Sequence, residues 1–171
     1  MNYFFGGYKM AGITLSKIGK TAKRSVIGAI KGTGEVASAI VETTKDLLAV
    51  AVDGVAQVAV AAEKAVGSII SGAVEAASET GQDIGIAIKS AVKGVVKGAS
   101  EVGADVGKTA VAAVDGAVKA AGEIGADTAK AMEQAATGAI EAAEEIGSDT
   151  ADAVRKVLKT TVKGKNTNPS E

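Results

Sequence analysis

GAVEAASETGQDIGIAIKSAVK, residues 72–93, is followed without insertion by GVVKGASEVGADVGKTAVAAVD at 94–115, GAVKAAGEIGADTAKAMEQAAT at 116–137 and GAIEAAEEIGSDTADAVRKVLK at 138–159. Carried backwards, the same frame opens VAVDGVAQVAVAAEKAVGSIIS at 50–71 and GAIKGTGEVASAIVETTKDLLA at 28–49, more diverged but still in register. Six copies of a 22-residue unit therefore cover 28–159. Self-similarity at a fixed period marks a repeat architecture, in which one unit cannot bury its apolar face alone.

Each unit divides into two elevens, and eleven residues occupy almost three helical turns, so a position returns to nearly the same direction on a helix. With successive positions about 98° apart, positions 2, 3, 5, 6, 9 and 10 of each eleven fall in one arc of roughly 165°. Those positions hold nearly all the Ala, Val and Ile. Charges gather opposite: position 4 holds Lys31, Asp53, Glu75, Lys97, Lys119 and Glu141, and position 8 holds Glu35, Gln57, Glu79, Glu101, Glu123 and Glu145. Lys97–Glu101 and Lys119–Glu123 have i,i+4 spacing, and Asp105–Lys108 and Asp127–Lys130 have i,i+3 spacing, which suits surface ion pairs on an exposed helix.

Seventeen glycines lie between 28 and 158. At about 0.8–1 kcal/mol each relative to Ala they cost an isolated helix roughly 13 kcal/mol or more, so something outside the helix must offset them. Gly125-Ala126-Asp127 and Gly147-Ser148-Asp149 also read as turns, a helix-ending Gly followed by an Asp cap, giving hairpins of helices. Against that, the apolar arc runs on through each such site. The expected fold is all-α, a long amphipathic helix built from the repeats, uninterrupted or gently bent, with helical hairpins as the alternative and no compact globular core.

Composition supports that expectation. The apolar 47% is mostly Ala and Val; Leu occurs only at 15, 47, 48 and 158, and the aromatics are Tyr3, Phe4, Phe5 and Tyr8. Few large side chains means little apolar area per residue to oppose conformational entropy. With no Cys and no His, the chain lacks disulfides, thiolate nucleophiles, ordinary zinc sites and the commonest general base. The N-terminus lacks a basic-then-apolar secretory pattern, and the longest apolar stretch, Leu47 to Ala62, is interrupted by Asp53. A cytoplasmic protein, peripheral on a membrane or lipid surface, is expected.

Net charge of −1 hides a segregated distribution. Residues 1–34 carry six bases and no acid, 35–154 carry 19 acids and 8 bases, and 155–165 carry Arg155, Lys156, Lys159, Lys163 and Lys165. Basic ends flank an acidic middle, which suits an anionic surface or the acidic middle of a neighbouring chain. The expected organisation is an aromatic and basic amphipathic arm at 1–27, the repeats at 28–159, and a basic, disordered tail at 160–171.

Motifs with chemistry are weak. Gly32-Thr33-Gly34-Glu35-Val36-Ala37 matches G-x-G-x-x-A, but its glycines occupy repeat columns and no βαβ unit follows. Gly103-Ala104-Asp105-Val106-Gly107-Lys108-Thr109 is one residue short of a phosphate loop. Glu144, Glu145, Asp149 and Asp152 read as a solvated face rather than a cation site. No catalytic residue, metal site, cofactor or small-molecule substrate is expected.

Two features carry binding information. Gly28–Gly32, Gly81–Gly85, Gly94–Gly98 and Gly103–Gly107 are small-xxx-small pairs that let helix backbones approach closely. In the N-terminal arm, Tyr3, Phe4, Phe5 and Tyr8 are candidate interfacial anchors beside the bases Lys9, Lys17, Lys20, Lys23 and Arg24, candidate contacts to anionic headgroups. The alternative is a cap that docks on a neighbouring subunit. Nucleic acid fits these bases poorly, because the acidic middle repels phosphate and no groove-reading motif is present.

At the level of 11- and 22-residue units the chain resembles the exchangeable apolipoproteins, the synucleins and the perilipin-type lipid-droplet coats. Val106-Gly107-Lys108-Thr109-Ala110-Val111 looks most like synuclein repeats, although the KTKEGV core is absent, and the apolipoprotein repeat-initial Pro is replaced by Gly. The 11-mer desiccation protectants and right-handed coiled coils share the period. The resemblance implies a lipid-adsorbed helix. The expected function is thus a non-enzymatic protein that coats or shapes an anionic lipid surface with lateral self-association as a homo-oligomer. The alternatives are a soluble filament or bundle closed by its Gly/Ala/Val face, and a disordered stress protectant.

Overall fold

A computed structural model of the chain describes residues 9–10, 13–33, 35–53 and 58–166. Among them Lys9–Met10 (β1) and Ile13–Thr14 (β2) pair antiparallel, and seven helices follow: α1 (Leu15–Thr33), α2 (Val36–Val52), α3 (Val58–Glu79), α4 (Ile84–Glu101), α5 (Val106–Glu123), α6 (Thr128–Ile146) and α7 (Ser148–Asn166). The chain is all-α, but the expected long helix is not formed. It packs as a compact bundle of helical hairpins around a continuous core.

From α3 onward the breaks recur at one place in the repeat. Gly81, Gly103 and Gly125 have φ of 72°, 76° and 74°, a left-handed conformation that Gly adopts without a Cβ penalty. Around each, the last turn closes as a Schellman motif: Ala104 N–H donates to Ala99 O at 2.8 Å and Gly103 N–H to Ser100 O at 3.3 Å, with the same pattern at Gln82 to Ala77 and Ala126 to Ala121. Two residues on, an aspartate caps the next helix. The carboxylate of Asp83 accepts from Ile86 N–H, that of Asp105 from Lys108 N–H, and that of Asp127 from both Ala129 and Lys130. Gly147, extended at φ 164°, makes the sharper junction between α6 and α7.

Because each repeat reverses the chain once, the helices zigzag between two layers, α1, α3, α5 and α7 in one and α2, α4 and α6 in the other. Contacts are most extensive between helices two apart in sequence, α1 with α3, α2 with α4, α3 with α5 and α4 with α6. Within a layer the helices run parallel, since Lys89 and Lys93 on α4 reach Glu141 and Glu145 on α6 in the same order. The apolar arc therefore faces the chain's own helices.

The expectation of no compact core fails for a specific reason. Ala loses no side-chain entropy on burial, and Gly lets backbones meet, so a core of small residues gains contact by close approach rather than by large side chains. Ala and Val fill it, with Ile40, Leu48, Ile69, Ile70 and Ile88 the largest buried groups. The boundary placed at 27/28 falls inside α1, and the segment 160–166, expected to be disordered, continues α7.

Candidate functional site: the helix-stacking surface

Five of the repeats open with glycine, and at four of these it is where one helix meets the next of its layer. A Cβ on Gly72 would collide with Gly19 O and Ala22; one on Gly94 with Thr44 Oγ1 and Val41 O; one on Gly138 with Lys89 O. On Gly116 it would lie 3.1 Å from the Gly67 Cα. Each partner lies roughly 50 residues upstream, a little more than two repeats, so the same contact is made at successive steps of the stack.

Of the glycines expected on the packing face, Gly94 and Gly98 lie there, Gly98 against Lys45 O and Leu48 of α2. Gly81 and Gly103 do not. They occupy the left-handed turns with nothing near, while Gly85 and Gly107 begin the helices that follow, so the pairs Gly81–Gly85 and Gly103–Gly107 straddle connections and cannot pack two helices. Gly28 and Gly32 lie on α1, with open space where a Cβ would stand. Sequence reading passed over Gly72, Gly116 and Gly138, although their shared place at the head of each unit was the signal.

Charge runs mainly between helices, with Glu42–Lys45 and Asp152–Arg155 pairing along one. Lys89 meets Glu141 at 2.9 Å, Lys93 meets Glu145 at 2.7 Å and Glu141 at 3.9 Å, and Lys97 also reaches Glu145. Lys45 bridges Glu42 at 3.0 Å and Glu101 of α4 at 3.7 Å, and Lys23 of α1 holds Glu75 and Glu79 of α3. The pairing expected for Lys97 with Glu101 is thus replaced by partners on other helices, and Asp105 and Asp127 serve as caps. Hydrogen bonds from Lys93 and Lys97 hold the Glu145 carboxyl below its ordinary range. The ammonium of Lys23 is raised chiefly by its bond to Glu79, and that of Lys45 by its bond to Glu42.

Lys17, Lys20 and Arg24 stand exposed on α1, whose opposite side buries Ile18, Ala22, Val26 and Ile30. Lys9 is in β1, paired through its backbone with Thr14. Tyr3, Phe4, Phe5 and Tyr8 lie outside the described residues. Gly32 and Val36 flank the connection of α1 to α2, and Gly103 to Asp105 form a turn, so neither nucleotide-like motif follows a strand. Among the described residues no acidic group converges into a cation site, and no helix is long and apolar enough to cross a membrane.

The cavities are open grooves between helices. One of about 400 Å³ between α3 and α5 is lined by Lys64, Ser68, Ser71, Lys119 and Glu123; another of about 500 Å³ beside α2 and α4 carries Ser38, Glu42, Lys89 and Lys93. A third, about 460 Å³, lies between α6 and α7 with Ala136, Ile140 and Leu158 on its floor and Arg155, Lys159 and Lys163 around it. What these surfaces offer is helix packing edged with charge. No family model matches the chain, and no curated protein is similar to it.

Proposed function

We propose that the chain is a non-enzymatic structural repeat protein, a preformed two-layer stack of helices that self-associates in the absence of lipid. The observation that carries this reading is the repeat-initial glycine: at Gly72, Gly94, Gly116 and Gly138 the small-residue face rests on the chain's own backbone. An apolar face already covered in this way needs no bilayer to fold against. Stacked repeats bury a continuous core step by step, and what remains for function is the outer surface and the ends of the stack. Circular dichroism and sedimentation velocity on the full chain without lipid test it. A helical, concentration-dependent oligomer is expected, and a coil that becomes helical only with anionic vesicles overturns it.

A second reading, adsorption to anionic lipid, has support from α1. Lys17, Lys20 and Arg24 project from a helix whose apolar side is buried, so the folded stack presents a basic face without opening. Each base near an anionic surface contributes about 1 kcal/mol. This reading expects flotation with phosphatidylserine vesicles that weakens with salt and with K17E/K20E/R24E, at unchanged helix content.

A further inference from the structure

The groove between α6 and α7 has the lining of an interior step of the stack and no helix over it among the described residues. Its floor is apolar, from Ala136, Ile140 and Leu158, and its cations are Arg155, Lys159 and Lys163. Those three stand three repeats after Lys89, Lys93 and Lys97, the cations that receive Glu141 and Glu145 of the next helix in the layer. The helix that belongs in this groove is therefore one carrying the features of a following repeat.

The outer side of α1 and α2 has those features. Gly28 and Gly32 repeat the Gly94–Gly98 pair, which packs on Val41, Thr44 and Leu48; yet among the described residues the space around Gly28 and Gly32 is open. Val50, 55% exposed, holds the repeat-initial position on α2, and Asp53 beside it holds the position of Glu141.

We infer that a second copy of this chain docks head to tail, its α1 and α2 continuing the stack on α6 and α7 of the first. This rests on the self-associating reading above and gives it a geometry. In the register of the interior steps, Gly28 and Gly32 of one copy come over Ala129, Met132 and Ala136 of the other, and Val50 comes against Leu158. The Lys89–Glu141 pair becomes Arg155 with Asp53 on one layer and, with both signs exchanged, Glu133 with Lys31 on the other. Lys159 approaches Asp53 as Lys93 approaches Glu141. Arg155 bridges Glu144 and Asp152 within its own chain and adds Asp53 to that cluster. One pairing is unfavourable, Glu141 toward Glu35, and Glu141 already has Lys89 and Lys93. Valine in place of glycine at position 50 makes the α7-to-α2 step wider than those inside the chain. The contact is heterologous, so it propagates into an open series unless its rotation closes a ring.

Sedimentation velocity over a concentration series tests it with exposed positions that leave the fold intact. K159E and D53K are each expected to weaken association about tenfold or more by setting like charges face to face. Their equimolar mixture is expected to restore it, since every contact between one variant and the other then joins opposite charges at positions 159 and 53. G28L is expected to abolish association while keeping the helix content and not lowering the melting temperature of the free copy, because the open space admits the side chain in the free copy only. Association unaffected by G28L and by both charge reversals overturns head-to-tail docking while leaving self-association standing. A wild-type chain that stays monomeric at every concentration overturns both readings. Flotation of a monomeric chain with anionic vesicles that K159E abolishes gives the groove to lipid and overturns the inference.

Discussion

Glycine in this chain does two opposite jobs, and the distinction is visible only residue by residue. Gly94 sits mid-helix, where a Cβ would meet the hydroxyl of Thr44 and the carbonyl of Val41. Gly94→Ala gains about 0.8–1 kcal/mol of helix propensity but forces an overpacked contact costing about 1–3 kcal/mol, more if the backbone must move. A net loss is expected, read as a melting temperature lower by several degrees. Gly67→Ala is the control: nothing lies within 4 Å of its Cβ, so the propensity gain stands alone and the melting temperature should rise. Equal effects at the two positions contradict the close-approach account. Thr44, fully buried, donates its hydroxyl to Ile40 O at 2.8 Å, which leaves its oxygen tolerable in an apolar contact.

At the scale of the element, the connection rather than the helix specifies the fold. The eleven-residue period, the helical character of every unit and the apolar arc were all legible in the sequence, and so was the Gly-x-Asp signature of a turn. The continuity of the arc was the misleading part. A single turn frees the next helix from its predecessor's phase, but a turn copied at one place in each of the last four units resets their helices identically, so the period survives those breaks. The interhelical ion pairs were illegible for a different reason: Lys89 and Glu141 stand more than two repeats apart, and nothing local marks them as neighbours. Asp127→Ala removes a cap that accepts two backbone N–H groups and should cost about 1 kcal/mol. Gly103→Ala places a Cβ at φ 76° and should cost about 1–2 kcal/mol. Chemical denaturation measures both, and neither loss is expected if residues 101–107 and 123–130 each belong to an unbroken helix.

For the whole molecule, charge ties neighbouring helices of each layer together across pH. Glu145 has its carboxyl held below the ordinary 4.5, so the stability it contributes is present above 4.5 and is lost as pH falls through the depressed value. Lys23 and Lys45 are raised from 10.5, so their contribution is whole below 10.5 and is lost as pH rises through the raised values. These side chains are largely solvated, which keeps each contribution small and sensitive to salt. Melting temperature should be level through the neutral range and fall toward both extremes, and Glu145→Gln should flatten the acid limb. An acid limb unchanged by that substitution contradicts the role given to Lys93 and Lys97.

The central claim is that one chain, without lipid, stacks its repeats on one another. Small-angle X-ray scattering of the dilute, lipid-free protein tests it most directly. A folded stack of this length gives a radius of gyration of about 15–20 Å, allowing for elongation beyond a sphere. An unbroken helix of six repeats is about 200 Å long and gives above 50 Å, and an unfolded chain gives about 44 Å. A value near 20 Å or below with high helix content is the predicted result, and a value above 40 Å contradicts it.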